Sequence, residues 1–176
     1  MNQYISEQLT PNVAVQPCSD PASLQHLEKT IKADIILEDV LSFISNTTRN
    51  VLEKEYPEGK FRLWGTKANK SLHEWEKLHK GDIILFYGGK AAGFKFIYKA
   101  QVVHTVRNAE LAKFLWGNDA EGATWECIYF IKDLEKIDLD RFEYNKAMGY
   151  DRKSTIQGFR VQSPERSLIL QQSFNL

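Results

Sequence analysis

Two tryptophans stand where a chain element gives way to a loop. Trp64 closes the short run Phe61-Arg62-Leu63-Trp64 and is followed at once by Gly65, Thr66, Lys67, Ala68, Asn69 and Lys70. Trp116 ends the amphipathic stretch "AELAKFLW" and precedes Gly117-Asn118-Asp119. Core tryptophans are more often flanked by apolar residues in mid-element, whereas these two are flanked by glycine, small polar residues and lysine. Indoles so placed suit the capture of a planar heterocycle. Stacking contributes on the order of 1–3 kcal/mol per base, and lysines can hold the flanking phosphates. A base drawn from a duplex must first be flipped out, at a cost of a few kcal/mol. A methyl group on it would add apolar contact worth roughly 25 cal/mol per Å² buried. Trp75, which faces Leu72 and Leu78 on its helix, and Trp125, inside "TWECIYF", read as core.

Other chemistries find little support. His26, His73, His79 and His104 show no ligand spacing with each other or with Cys18 and Cys127, so no metal site is expected. Gly88-Gly89-Lys90-Ala91-Ala92-Gly93 lacks the Gly-Lys-Ser/Thr ending of a phosphate loop and reads as a hairpin. Asp138 and Asp140 read as a solvated turn, and no nucleophile is paired with a base. A non-catalytic protein that needs no cofactor is the expectation.

The 176 residues suffice for one domain with its own hydrophobic core, or one domain plus an appendage. No apolar run reaches the roughly 18 residues of a membrane span. The opening "MNQYISEQLT" has neither a basic nor an apolar signal region, and a cytoplasmic location is expected. The formal net charge of zero conceals an asymmetry: residues 1–59 hold four Lys/Arg against nine Asp/Glu, residues 60–113 eleven against four, and residues 114–176 eight against ten. The basic middle third points to a polyanionic partner.

The elements that must position these groups follow from periodicity and breakers. Residues 1–22, with Pro11, Pro17 and Pro21, read as a loose lead-in. Apolar residues spaced by three and four from Leu24 to Ile44, and again from Thr47 to Glu55, predict one or two helices over 23–56. Tyr56-Pro57-Glu58-Gly59 breaks them, which sets a boundary between an extension, 1–58, and a main domain, 59–176. There, "KFRLW" predicts a strand, and "SLHEWEKLH" a short helix capped by Ser71 and Glu74. "IILFY" predicts a buried strand leading into the Gly88-Gly89 hairpin, and "FKFIYKAQVVHTV" and "TWECIYFIKDLEKI" further strands. Residues 141–158 read as a basic loop and "FRVQ" as a closing strand. The sum is an α+β fold, a small sheet curled towards a barrel and flanked by short helices.

This order of elements resembles the YTH and EVE branch of the PUA-like superfamily, the modified-base readers. The resemblance covers residues 60–162 and rests on the Trp64-Gly65-Thr66 step, the Gly81-Asp82 turn into "IILFY", the strand "FKFIYKAQV", a second tryptophan in a loop, "TWECIYFIKDL", and the late loop "YDRKSTIQGF". It implies an aromatic cage for a methylated base, walled by Trp64 and Trp116, with Gly65 and Thr66 at the base edge and Asn69 as a polar reader. Tyr87 is a candidate third wall. Lys67, Lys70, Lys90, Arg152 and Lys153 would lie along the phosphates. It further implies a nucleic-acid partner, methylated DNA before methylated RNA, with N6-methyladenine favoured and 5-methylcytosine the alternative. Prokaryotic readers of this kind often serve as the specificity domain of an McrBC-type restriction system beside an NTPase or nuclease. A module that docks a protein through helices 23–56 is the rival reading.

Overall fold

The computed structural model describes residues 10–176; the first nine residues of the expected lead-in lie outside them. The sequence reading leaves one strand unforeseen. β1 (Val13–Pro17) runs parallel to β4 (Ile83–Tyr87), with Val13 opposite Ile83 and Pro17 opposite Tyr87, and its other edge carries β7 (Arg160–Val161). Val13, Ala14 and Val15 are buried, so this brief apolar run sits inside the sheet. Side chains secure its start: the Asn12 N–H donates to Asp82 Oδ1 at 2.9 Å and the Val13 N–H to Ser167 Oγ at 2.9 Å. The boundary expected at residue 58 therefore does not separate two sheets, because the N-terminal segment supplies part of one.

Seven strands form that sheet in the order β2-β3-β6-β5-β4-β1-β7, with β2 at Ile35–Ile36, β3 at Lys60–Thr66, β5 at Lys95–Arg107 and β6 at Cys127–Asp140. β5 and β6 make a long antiparallel hairpin whose register shifts at three places. Such bulges raise the local twist and bend the ribbon. The sheet accordingly curls, as expected, and stays open between β2 and β7.

The predicted helical stretch 23–56 breaks into short pieces. These are α1 (Pro21–His26), a π-helical turn (Leu27–Ile31), α2 (Leu37–Val40), a 3₁₀ turn (Leu41–Phe43) and α3 (Asn46–Glu55). Between them Ile35 and Ile36 pair with Phe61 and Lys60, which tertiary pairing favours over helix continuation. α4 spans Ala68–Trp75, so Ser71 is a buried interior residue and not a cap. Glu74 accepts instead from the Val161 N–H at 3.0 Å and ties α4 to β7. α5 (Ala109–Trp116) matches its prediction, with Asn108 accepting from the Leu111 N–H. The late loop begins as α6 (Arg141–Ala147), and α7 (Pro164–Phe174) starts on the Ser163 cap. Among the described residues no helix is long and apolar enough to cross a membrane.

Alternation along the strands separates the core into clusters. Trp64, Phe86, Tyr98, Tyr129 and Ile131 pack against Leu27 and Ile31 of the π-helical turn. Phe61, Leu63, Ile128 and Phe130 face Leu52, Leu111, Leu115 and Trp116. Val15, Leu85, Tyr87 and Phe96 lie beneath Tyr144 and Leu170.

Candidate nucleic-acid interface

A cleft of about 730 Å³ opens at the end of β3, between α1, the start of α4 and the loop that follows α5. That volume falls in the range of small-molecule sites, about 300–1,000 Å³. Each wall has a local cause. Asp20 caps α1, its Oδ1 accepting from the N–H groups of Ala22 and Ser23 at 3.1 Å each, and so turns Ser23 and His26 toward the cleft. α5 stops at Trp116 because Gly117 adopts φ 74°, a region that costs a side chain dearly.

The loop beyond is tied down by Asp119. Its Oδ1 accepts from the N–H groups of Glu121 (3.0 Å) and Ala123 (2.8 Å), while Oδ2 pairs with Lys67 Nζ at 2.5 Å. The Lys67 ammonium also lies 4.9 Å from the ring centroid of Trp125. Its hydrogen bond with Lys67 holds the Asp119 carboxyl below the usual range.

Gly65 is required here for space. An added Cβ would come within 2.3 Å of the Trp125 carbonyl oxygen and 2.6 Å of Trp116 Cζ3. The benzo ring of Trp116 thus rests on bare backbone. The same alternation sends Trp64 to the opposite face of β3, where only 1% of it is exposed. The two indoles do not face each other across an open slot, contrary to expectation. Trp64 leaves β3 into one core cluster, Trp116 ends α5 in another, and the imidazole of His26 meets both. Its centroid lies 6.1 Å from Trp64, 5.3 Å from Trp116 at 31° between planes, and 4.3 Å from Trp125 at 89°. Burial pushes His26 down to about 4, so it is neutral at pH 7.

Two polar atoms of the cleft residues are left over. Thr66 Oγ1 and Trp116 Nε1 are buried and without a hydrogen-bond partner among the described residues. Orphaned buried donors are rare in native proteins and costly, which marks this as a place where a ligand's polar edge belongs.

Of the residues singled out in the sequence, the cleft gathers Trp64, Gly65, Thr66, Lys67, Lys70 and Trp116. Tyr87 does not join them: its side chain is on the far face with Phe96, 5.2 Å away, because Phe86 takes the near face. Asn69 is exposed on α4 outside the cleft lining. Lys90 sits on an exposed 3₁₀ turn, Gly89–Ala92. Arg152 and Lys153 are exposed early in the loop after α6, with the Arg152 guanidinium 4.8 Å from the Phe142 ring, while Gly158 and Phe159 at that loop's end reach the cleft.

Sequence reasoning missed the place of His26, Gln16 and the half-buried Trp125 at the cleft. A histidine beside Leu27 and Ile31 in a periodic segment was the available signal. The basic block is also largely neutralised: Arg62, Lys67, Lys77, Lys80, Lys95, Lys99 and Arg107 each pair with a carboxylate. Lys70, at the cleft, has no carboxylate partner among the described residues. Burial pushes Cys18 up to about 12 and Cys127 to about 11, which removes both thiols as nucleophiles. No cluster of three or more His, Cys, Asp or Glu suited to a metal occurs among the described residues.

The open, curled α+β sheet flanked by short helices is the fold that the resemblance implies. Among solved structures the chain is similar to the N-terminal domain of Thermococcus gammatolerans McrB bound to m5C DNA, with a TM-score of 0.70 over 93% of this chain and 97% of that one. At 18% identity the likeness is one of fold. No protein-family model and no curated protein matches the sequence.

Proposed function

We propose that this chain is a non-catalytic module that reads a methylated base in DNA, 5-methylcytosine first, and serves in the cytoplasm as the specificity part of a modification-dependent restriction system. The flipped base enters the cleft at the end of β3. It stacks on the indoles of Trp116 and Trp125, and its polar edge meets Thr66 Oγ1 and Trp116 Nε1. Trp64 backs the site from the core, and Lys70 lies beside the sugar-phosphate strand. The observation that carries this reading is the pair of orphaned buried polar atoms amid three indoles. The shared fold with a domain bound to m5C DNA supports the choice of DNA and of cytosine over N6-methyladenine.

The test is a binding titration with oligonucleotides that are unmodified or carry 5-methylcytosine or N6-methyladenine. Each is presented single- and double-stranded, as DNA and as RNA. Burying one methyl group contributes about 0.8 kcal/mol, or roughly fourfold in affinity. The expected result is tighter binding of 5-methylcytosine DNA by at least that factor, abolished by Trp125→Ala. Equal affinity for every oligonucleotide overturns the proposal.

A further inference from the structure

The imidazole of His26 lies where a stacked base would have to lie. α1 is only six residues long and passes at His26 into the π-helical turn, in which the Lys32 N–H reaches back to the Leu27 carbonyl at 2.9 Å. A π-turn carries one more residue than the α-helical turn it replaces, is rare, and is frequent at functional sites. Here it falls directly after the residue that enters the cleft. His26 is only 4% exposed, and its ring is tilted against Trp116, at 5.3 Å and 31°, and edge-on to Trp125. A planar, nitrogen-containing ring thus already covers the indole face that the proposed base would use.

The occupancy is incomplete in an instructive way. The His26 ring makes no hydrogen bond among the described residues, and Thr66 Oγ1 and Trp116 Nε1, of residues lining the same cleft, remain unpaired. The imidazole therefore satisfies the aromatic surfaces but not the polar ones. A nucleobase can satisfy both, which gives it the differential affinity that any displacement requires. Both neighbours of the ring on α1, Ser23 and Gln25, also line the cleft, and Gln25 is solvent-exposed, so the mouth has room on the α1 side.

We propose that His26 is a placeholder for the flipped base. Its ring keeps the cleft filled and the indoles dry in the free protein, and a base that makes the missing hydrogen bonds exchanges with it ring for ring. His26 then sets an affinity threshold that any base must exceed to enter the cleft. The energy of expelling it is subtracted equally from every base, and only a base with enough stacking surface and a matching polar edge recovers the difference. The inference rests on the base-reading function proposed above.

The experiment compares wild type, His26→Ala and His26→Phe against double-stranded oligonucleotides with and without 5-methylcytosine. Apparent affinity scales with the fraction of molecules whose site is open. His26→Ala should tighten binding of both oligonucleotides by the same factor, about fivefold or more, with the ratio between them unchanged. His26→Phe, which fills the same space with a more apolar ring, should weaken methylated binding by a similar factor. In wild type, the His26 Cε1–H resonance should move from a position shifted by the indole rings to that of a solvent-exposed histidine when the methylated oligonucleotide is added. Wild type that binds all oligonucleotides equally refutes the base-reading function itself. Wild type that discriminates, with His26→Ala weakened or unchanged, makes His26 a wall of the site and overturns the placeholder alone. Should His26→Ala fail to fold, a His26→Phe affinity equal to or above wild type, or a His26 resonance that stays put, overturns it as well.

Discussion

Lowering the pH from 7.5 to 5 should destabilise the folded chain by about 2 kcal/mol through His26 alone. In the unfolded chain the imidazole titrates near its ordinary value of 6.5, whereas burial among three indoles holds it at about 4 in the fold, with Asp20 opposing that shift and Lys29 and Lys67 adding to it. Because the folded value is depressed, the unfolded chain binds the proton first. Stability is therefore fully present above pH 6.5 and falls as the pH drops toward 4. Each pH unit in that window costs about 1.4 kcal/mol. At pH 5 the unfolded state is almost fully protonated and the folded state about one-tenth, so the loss is about 1.5 pH units' worth, or 2 kcal/mol. The assay is urea denaturation at both pH values for wild type and His26→Phe, followed by circular dichroism. The carboxylates contribute nearly equally to both proteins, so the difference in unfolding free energy isolates the imidazole. A difference that changes by less than about 0.5 kcal/mol between the two pH values refutes a neutral, buried His26.

Gly65→Ala should unfold the cleft's floor, since the new methyl group meets the Trp125 carbonyl and the Trp116 ring. A loss of roughly 1–3 kcal/mol in thermal or urea stability is expected, as for overpacking elsewhere, together with loss of oligonucleotide binding. Lys70→Ala should lower the slope of log affinity against log salt by about one while leaving methyl preference unchanged, and Lys90→Ala should leave the slope as it is. A chain beginning at residue 59 should not fold cooperatively, because it lacks β1 between β4 and β7; a sharp thermal transition in that fragment would contradict the pairing.

The sheet's main strands were legible because their signals are local. "IILFY", "TWECIYFIKDLEKI" and the Gly81-Asp82 turn carry β-branched and aromatic runs with clear breakers. β1 was illegible for the opposite reason: Val13-Ala14-Val15 between prolines is too short to show a period, and its burial depends on partners some 70 and 147 residues away. Likewise the periodic segment after Ser23 is helical by pattern, but Ile35 and Ile36 are claimed by the start of β3. At the site, Trp64-Gly65-Thr66 and Trp116 could be named because glycine beside an indole is unusual in a core. The face of Trp64 was fixed by strand alternation, and the meeting of His26 at the end of α1 with Trp116 at the end of α5 by tertiary packing, neither of which a linear pattern reveals. Charge misled in the same manner: the surplus of residues 60–113 is met in space by Asp34, Glu55, Asp119, Glu126, Glu135 and Asp138 from outside that block.

The location of the cleft follows from an unfinished sheet. β2 pairs only with Lys60 and Phe61, so from Arg62 onward the outer edge of β3 has no strand beside it. A bare edge invites pairing with another chain, and native proteins cover such edges. Here the π-helical turn packs on that edge from above, with Leu27 and Ile31 in the same core cluster as Trp64. The cover ends at His26, and the Trp64-Gly65-Thr66 step of β3 borders the cleft there. A site built there gains rigid backbone from β3 and β6 on one side and a short, separable helix on the other. Its groups come from separate elements: Trp64 and Thr66 from β3, Trp116 from the end of α5, Trp125 from the segment before β6, and His26 from α1.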